Sequence, residues 1–127
     1  MPRRKYAQAL NLLLRAHSDS ENYVRMAAIA PHIEAYLTDE SVLLTARAFY
    51  NLERYTESIK YFEKLRLTSD LDLILLCSAY VQSGNRARAV SILSNAPANS
   101  SFINTAKENE ILKPIIDEIQ ARRSLVQ

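Results

Sequence analysis

A chain of 127 residues is long enough for one domain with a real core, and its 48% apolar share is ordinary for a globular protein. A single glycine excludes Gly-rich phosphate loops and hairpins built on Asn-Gly turns, which leaves helices joined by short polar turns. The net charge of +2 is too balanced to signal nucleic acid, and one cysteine, Cys77, excludes an internal disulfide and suggests a reducing compartment, cytoplasmic or nuclear.

In chain order, the first expected element is a helix over 2–16, with Tyr6, Leu10, Leu13 and Leu14 at helical spacing. Basic residues precede its apolar stretch, as in a signal peptide. The stretch is short and no small-residue cleavage site follows, so an amphipathic helix is expected. No apolar run reaches the ~18 residues of a membrane span. Ser18, with Glu21 three residues later, forms a candidate capping box for a helix reaching Tyr36 or Leu37. Pro31 should kink or divide that helix. A third helix begins at Thr38 or Asp39, and another begins at Ser69 with Asp72 in its first turn. "SNAPANSS", Ser94 to Ser101, is the strongest break. A short helix follows from Phe102. A last one holds Ile111, Leu112, Ile115, Ile116 and Ile119, with Pro114 in a first turn or at a kink. Glu118 and Arg122 should pair on its outer face.

The middle of the chain says one thing twice. "ARAFYNLERYTESIKYFEKL", from Ala46, aligns without a gap on "CSAYVQSGNRARAVSILSNA", from Cys77. Ala46 falls on Cys77, Phe49 on Tyr80, Ser58 on Ala89, Ile59 on Val90 and Phe62 on Leu93, always 31 residues apart. Size is kept where identity is not. A small residue lets a second helix approach, a ring fills the gap beside it, and a second small residue marks the crossing. Each such hairpin needs a neighbour to cover its remaining apolar face.

These residues resemble the tetratricopeptide repeat family, whose signature has a period of about 34 residues. The signature positions read Val42, Thr45, Ala46, Phe49, Ser58 and Phe62, then Leu73, Leu76, Cys77, Tyr80, Ala89 and Leu93. The Trp is absent and the Gly is replaced by Ala or Cys. The resemblance implies an all-α fold: a short right-handed array of antiparallel helix hairpins, with six or seven helices in a single domain. Residues 1–37 form a degenerate first repeat, 38–68 and 69–97 the clear repeats, and 100–127 capping helices.

Chemistry is sparse. His17 and His32 lack Cys or carboxylate partners at a metal-ligand spacing. Cys77 sits in a helix-packing slot, and no Ser has a nucleophile-elbow context. Asn99-Ser100-Ser101 matches a glycosylation sequon but reads as a loop and helix cap. The basic runs Arg3–Lys5, Arg86 with Arg88, and Arg122 with Arg123 read as solvated faces. No enzyme, cofactor or metal site is expected.

The resemblance also implies a groove lined by the first helix of each hairpin. Projected here, it holds Glu40, Leu43, Arg47, Tyr50 and Asn51, then Leu71, Ile74, Ser78, Val81 and Gln82. Leu43, Tyr50, Leu71, Ile74 and Val81 make it apolar, as a partner site would be. The Lys and Asn residues with which one subclass clamps chaperone tails are replaced at the matching places by Leu43, Arg47, Ile74 and Ser78. An amphipathic helix or an extended peptide of another protein is the expected occupant. The same face could instead be filled by the chain's own terminal helices or used in a homodimer. Two settings compete: a scaffold subunit or fragment of a larger assembly, as in helical-repeat subunits of the anaphase-promoting complex, and a small tetratricopeptide-like chaperone of a secretion partner. An RNA-binding repeat using Arg47, Arg86 and Arg88 is the alternative of a different class.

Overall fold

A computed structural model of the chain describes residues 2–126, with the side chains of residues 4–125. The described residues are all-helical, without strands. Eight α-helices run in order: α1 (Pro2–Asp19), α2 (Tyr23–Ile29), α3 (Asp39–Asn51), α4 (Tyr55–Phe62), α5 (Asp70–Gln82), α6 (Arg86–Asn95), α7 (Ser101–Ala106) and α8 (Lys113–Val126). A 3-10 helix, Ala30–Tyr36, follows α2. Eight exceeds the expected six or seven. Pro31 sits in the first turn of the 3-10 segment, and Ile33 leaves helical geometry inside it, so the expected second helix is divided. Near the C-terminus, Asn109 Oδ1 accepts from the Ile111 and Leu112 amides at 2.9 and 3.1 Å. That turn separates α7 from α8 and leaves Ile111 and Leu112 outside the last helix, whose first turn takes Pro114.

The Ser18–Glu21 capping box does not form. Ser18 lies inside α1, which continues to Asp19, and Asn22 is the N-cap of α2, its side chain accepting from the Arg25 amide at 3.4 Å. The amphipathic pattern of α1 ends before its backbone does, so the sequence placed the boundary early. The α3 helix begins at Asp39, one of the two expected starts, and Thr38 caps it, accepting from the Ser41 amide at 3.2 Å.

The two helices aligned by the 31-residue offset end in the same turn. After α3, Glu53 takes φ 60°; the Arg54 amide donates to Phe49 O at 2.9 Å and the Glu53 amide to Tyr50 O at 2.9 Å. After α5, Gly84 takes φ 94°; the Asn85 amide donates to Tyr80 O at 2.7 Å and the Gly84 amide to Val81 O at 3.1 Å. This is the Schellman ending, with a left-handed residue just past the helix. It also closes α1, where Glu21 takes φ 57° and the Asn22 amide donates to His17 O at 2.7 Å. The turn after α1 therefore shares the geometry of the turns after α3 and α5. Glutamate occupies a glycine's conformation at Glu21 and Glu53. Glu53→Gly is expected to raise stability by about 0.5–1 kcal/mol, read as a higher urea midpoint at constant slope.

The chain divides into two compact units between Arg66 and Leu67. In the first, Leu14, Met26, Ala30, Ile33 and Ala48 form a buried cluster, with Leu10, Tyr23 and Leu44 packed against it. The α3–α4 hairpin closes at a buried crossing, where the Ser58 hydroxyl donates to the Ala46 carbonyl at 2.8 Å. Phe49 fills the space beside it and stacks on Tyr61 with centroids 5.4 Å apart. In the second unit, Cys77, Ala79, Ala89 and Leu93 take the corresponding buried places. Phe102, Ile103, Leu112, Ile115 and Ile116 supply the rest of its core.

One polar contact ties the 3-10 helix to α4. Lys60 Nζ lies 3.1 Å from Glu34 Oε1. The Lys60 ammonium, aided by the Tyr61 hydroxyl, holds the Glu34 carboxyl below its usual range. A carboxyl whose pKa is depressed by folding stabilises the fold above its unfolded pKa, and that share is lost as pH falls through the folded value. Acidification below about pH 4.3 should therefore remove at most about 1 kcal/mol through this contact. Glu34→Gln should flatten that part of a urea midpoint–pH curve.

Candidate partner-binding surface

The α3 helix positions the first half of the expected groove. Its inner face, Val42, Thr45, Ala46 and Phe49, is buried. That fixes the rotation of the helix and turns Leu43, Arg47, Tyr50 and Asn51 outward. Leu43, Arg47 and Tyr50 are half-buried and Asn51 is exposed. The Tyr50 ring meets Tyr55 edge-on at 5.4 Å, and the Asn51 amide donates to Arg47 O at 2.8 Å. Tyr50 is thus held by the next helix while an edge remains in reach of solvent.

The remaining projected residues belong to α5, in the second unit. Leu71 is 65% exposed and Val81 is half-buried. Ile74 and Ser78 are buried, and Gln82 Nε2 donates to Ser78 Oγ at 3.1 Å. The reason is compositional: α5 is apolar around most of its circumference, and such a helix is enclosed. On this helix Leu71 and Val81 carry the outward apolar surface.

A surface the sequence did not announce lies beside the start of α3. Arg4, Gln8, Leu12 and Arg15 of α1, with Tyr36 and Glu40, line a cleft of about 540 Å³. Asn11 builds its floor. Its Nδ2 donates to Ala7 O at 2.7 Å and Tyr36 O at 2.9 Å, while its Oδ1 accepts from the Thr38 amide at 3.0 Å and the Thr38 hydroxyl at 3.2 Å. A lone asparagine beside the apolar face holding Leu10 and Leu14 was the available signal. Arg15 reaches Glu40 at 3.5 Å across the cleft.

The remaining candidates have structural partners. Arg86 pairs with Glu118, which also accepts from Arg122 at 2.8 Å, the pair expected on the outer face of α8. The Arg88 guanidinium lies 5.8 Å from the centre of the Tyr80 ring. Arg123 donates to Ser94 O. Arg4 and Lys5 are exposed, and the side chain of Arg3 lies outside the described residues. Burial pushes the Cys77 thiol up to about 12, which keeps it protonated and inert. Ser100 caps α7 and the Ser101 hydroxyl donates to Asp70 at 2.9 Å, so the "NSS" stretch serves a loop and a helix start.

Among the described residues, no three His, Cys, Asp or Glu side chains could hold a metal ion together, and no helix is long and apolar enough to cross a membrane. No protein-family model matches the chain, and neither a curated protein nor a solved structure is significantly similar to it.

Proposed function

We propose that this chain is a non-catalytic binding module built from tetratricopeptide-like hairpins in a right-handed array, and that it receives an amphipathic helix of another protein. The observation that carries this reading is the division of α3: one face sunk in the core, the next presenting Leu43, Arg47, Tyr50 and Asn51. A half-buried leucine and tyrosine two turns apart suit the i and i+7 anchors of a helical ligand, with Arg47 placed for a ligand carboxylate. The Schellman turns at Glu53 and Gly84, 31 residues apart, support the repeat reading that underlies it. Leu71 and Val81 offer a second apolar strip on α5. A scaffold role in a larger assembly fits this surface, as does a chaperone role toward an aggregation-prone partner. The RNA-binding alternative draws on Arg47, Arg86 and Arg88. The pairing of Arg86 with Glu118 and the cation–π contact of Arg88 with Tyr80 give two of these a structural task instead.

The test is Leu43→Glu on the full chain, used as bait beside the parent and a Ser91→Glu control at an exposed site. Quantitative mass spectrometry of captured proteins should show a set lost by about tenfold or more with Leu43→Glu and kept with Ser91→Glu, at unchanged helical circular dichroism. Identical captured sets from all three baits would sink the proposal.

A further inference from the structure

Helix α1 carries two apolar faces. Leu14 and Leu10 turn inward onto Met26, Ala30, Ile33 and Ala48. Tyr6, Ala9, Leu13 and Ala16 turn outward, all exposed, with Leu12 alongside at 66%. Their spacing of three, four and three residues is that of a two-helix seam, in which side chains of one helix sit between those of another. An apolar stripe of this width is the kind of face that helices cover. It is also where three of the large exposed apolar side chains gather, Tyr6, Leu12 and Leu13.

We infer that this stripe pairs, antiparallel, with the same stripe on a second copy of the chain. The sequence of α1 is complementary to itself in that direction. An antiparallel seam sets Tyr6 against the second copy's Ala16 and Leu13 against its Ala9. Every layer then joins one large and one small side chain, and the two helices can approach closely. Along the flank, Leu12 meets its own counterpart and Lys5 meets Asp19. A parallel pair would put Tyr6 on Tyr6 and Ala9 on Ala9, alternately crowding the seam and leaving it empty. A twofold contact of this kind is closed and uses one patch twice.

The charges of α1 argue the same way. Its first turns carry Arg4 and Lys5 with no acidic residue, and Asp19 stands at its last position. The basic start and Asp19 both oppose the helix dipole, which favours acid at the start and base at the end; His17, also in the last turn, is placed with it. An antiparallel second copy brings its carboxylate end to the basic start and its basic start to the carboxylate end, offsetting both. The proposal uses the outer face of α1 alone, so it stands or falls separately from the α3 surface.

Light scattering during size-exclusion chromatography of the full chain, from micromolar to millimolar load, reads the result. The mass should climb from 14.4 kDa toward twice that value as concentration rises. Leu13→Glu, at an exposed site, should hold the chain at monomer mass with helicity unchanged, while Leu125→Glu, at another exposed leucine, should dimerise like the parent. The orientation is tested by charge exchange. Lys5→Glu should weaken the dimer several-fold, by roughly two opposed charge pairs, and Lys5→Glu with Asp19→Lys should restore it. Lys5 and Asp19 lie about 20 Å apart on one helix, so such a rescue can only act between chains. A monomer at every concentration would mean that something other than a second copy covers the stripe, and the inference fails. It fails equally if Leu13→Glu still dimerises or if the charge exchange brings no recovery.

Discussion

Phe49→Ala is expected to cost about 3–5 kcal/mol of unfolding free energy. The ring is fully buried, stacks on Tyr61 across the hairpin and carries the Arg54 guanidinium 4.8 Å above its centre. It stands one helical turn from Ala46, whose carbonyl receives the buried Ser58 hydroxyl. Removing it opens a cavity between α3 and α4 beside that hydrogen bond, which restrains the two helices from collapsing onto the missing ring. A domain of this size has only about 5–15 kcal/mol in reserve, so the variant should lose a large part of its stability. Urea unfolding followed by circular dichroism measures the loss. Phe49→Leu should recover more than half of it, since the volume is largely restored. A loss below about 1 kcal/mol for Phe49→Ala would mean that the ring does not close the hairpin.

Much of the fold was legible because the core obeys size. The places where Ala46, Ser58, Phe49 and Phe62 recur as Cys77, Ala89, Tyr80 and Leu93 are all buried. A small residue at a crossing leaves a pattern that survives when identity is lost. The first hairpin was harder to read. It shares the Schellman turn, with glutamate at the left-handed position as at Glu53, but Pro31 breaks the periodicity of its second arm. Nothing local in the sequence distinguishes a glutamate that will take φ 57° from one that will not. Helix length was misjudged for a related reason: the large apolar residues of α1 stop at Leu14, but backbone hydrogen bonds carry the helix to Asp19.

The surface was less legible than the core. Projecting one helix face onto α5 treated Ile74 and Ser78 as it did Leu71 and Val81. Burial depends on what lies on every side of a helix, and periodicity reports only its own strongest side. On α3, where one face is polar enough to set a clear direction, the projection and the exposure of Leu43, Arg47, Tyr50 and Asn51 coincide. The cleft beside α1 depends on Asn11 reaching Tyr36 and Thr38, over 25 and 27 residues of chain, a relation that no local window contains.

The second large effect is expected at Leu93, the counterpart of Phe62 in the second hairpin. Leu93→Ala should lower stability by about 2–5 kcal/mol. Leu93 is buried on α6, whose neighbours are α5 on one side and α8 on the other. Both neighbours are fixed from elsewhere. The α5 helix is pinned by the Schellman turn at Gly84 and by the bond between Asp70 and Ser101. The α8 helix is pinned by the Arg86–Glu118 pair and by Arg123 on Ser94 O. Walls held in this way cannot collapse onto the missing atoms, so the cost should fall in the upper half of the range. Leu125→Ala is the control: the same three carbons are removed from a residue that is 86% exposed. It should change stability by less than about 0.5 kcal/mol. Urea titrations of the two variants at constant slope measure the contrast. Equal losses at Leu93 and Leu125 would contradict the assignment of Leu93 to the core of the second hairpin.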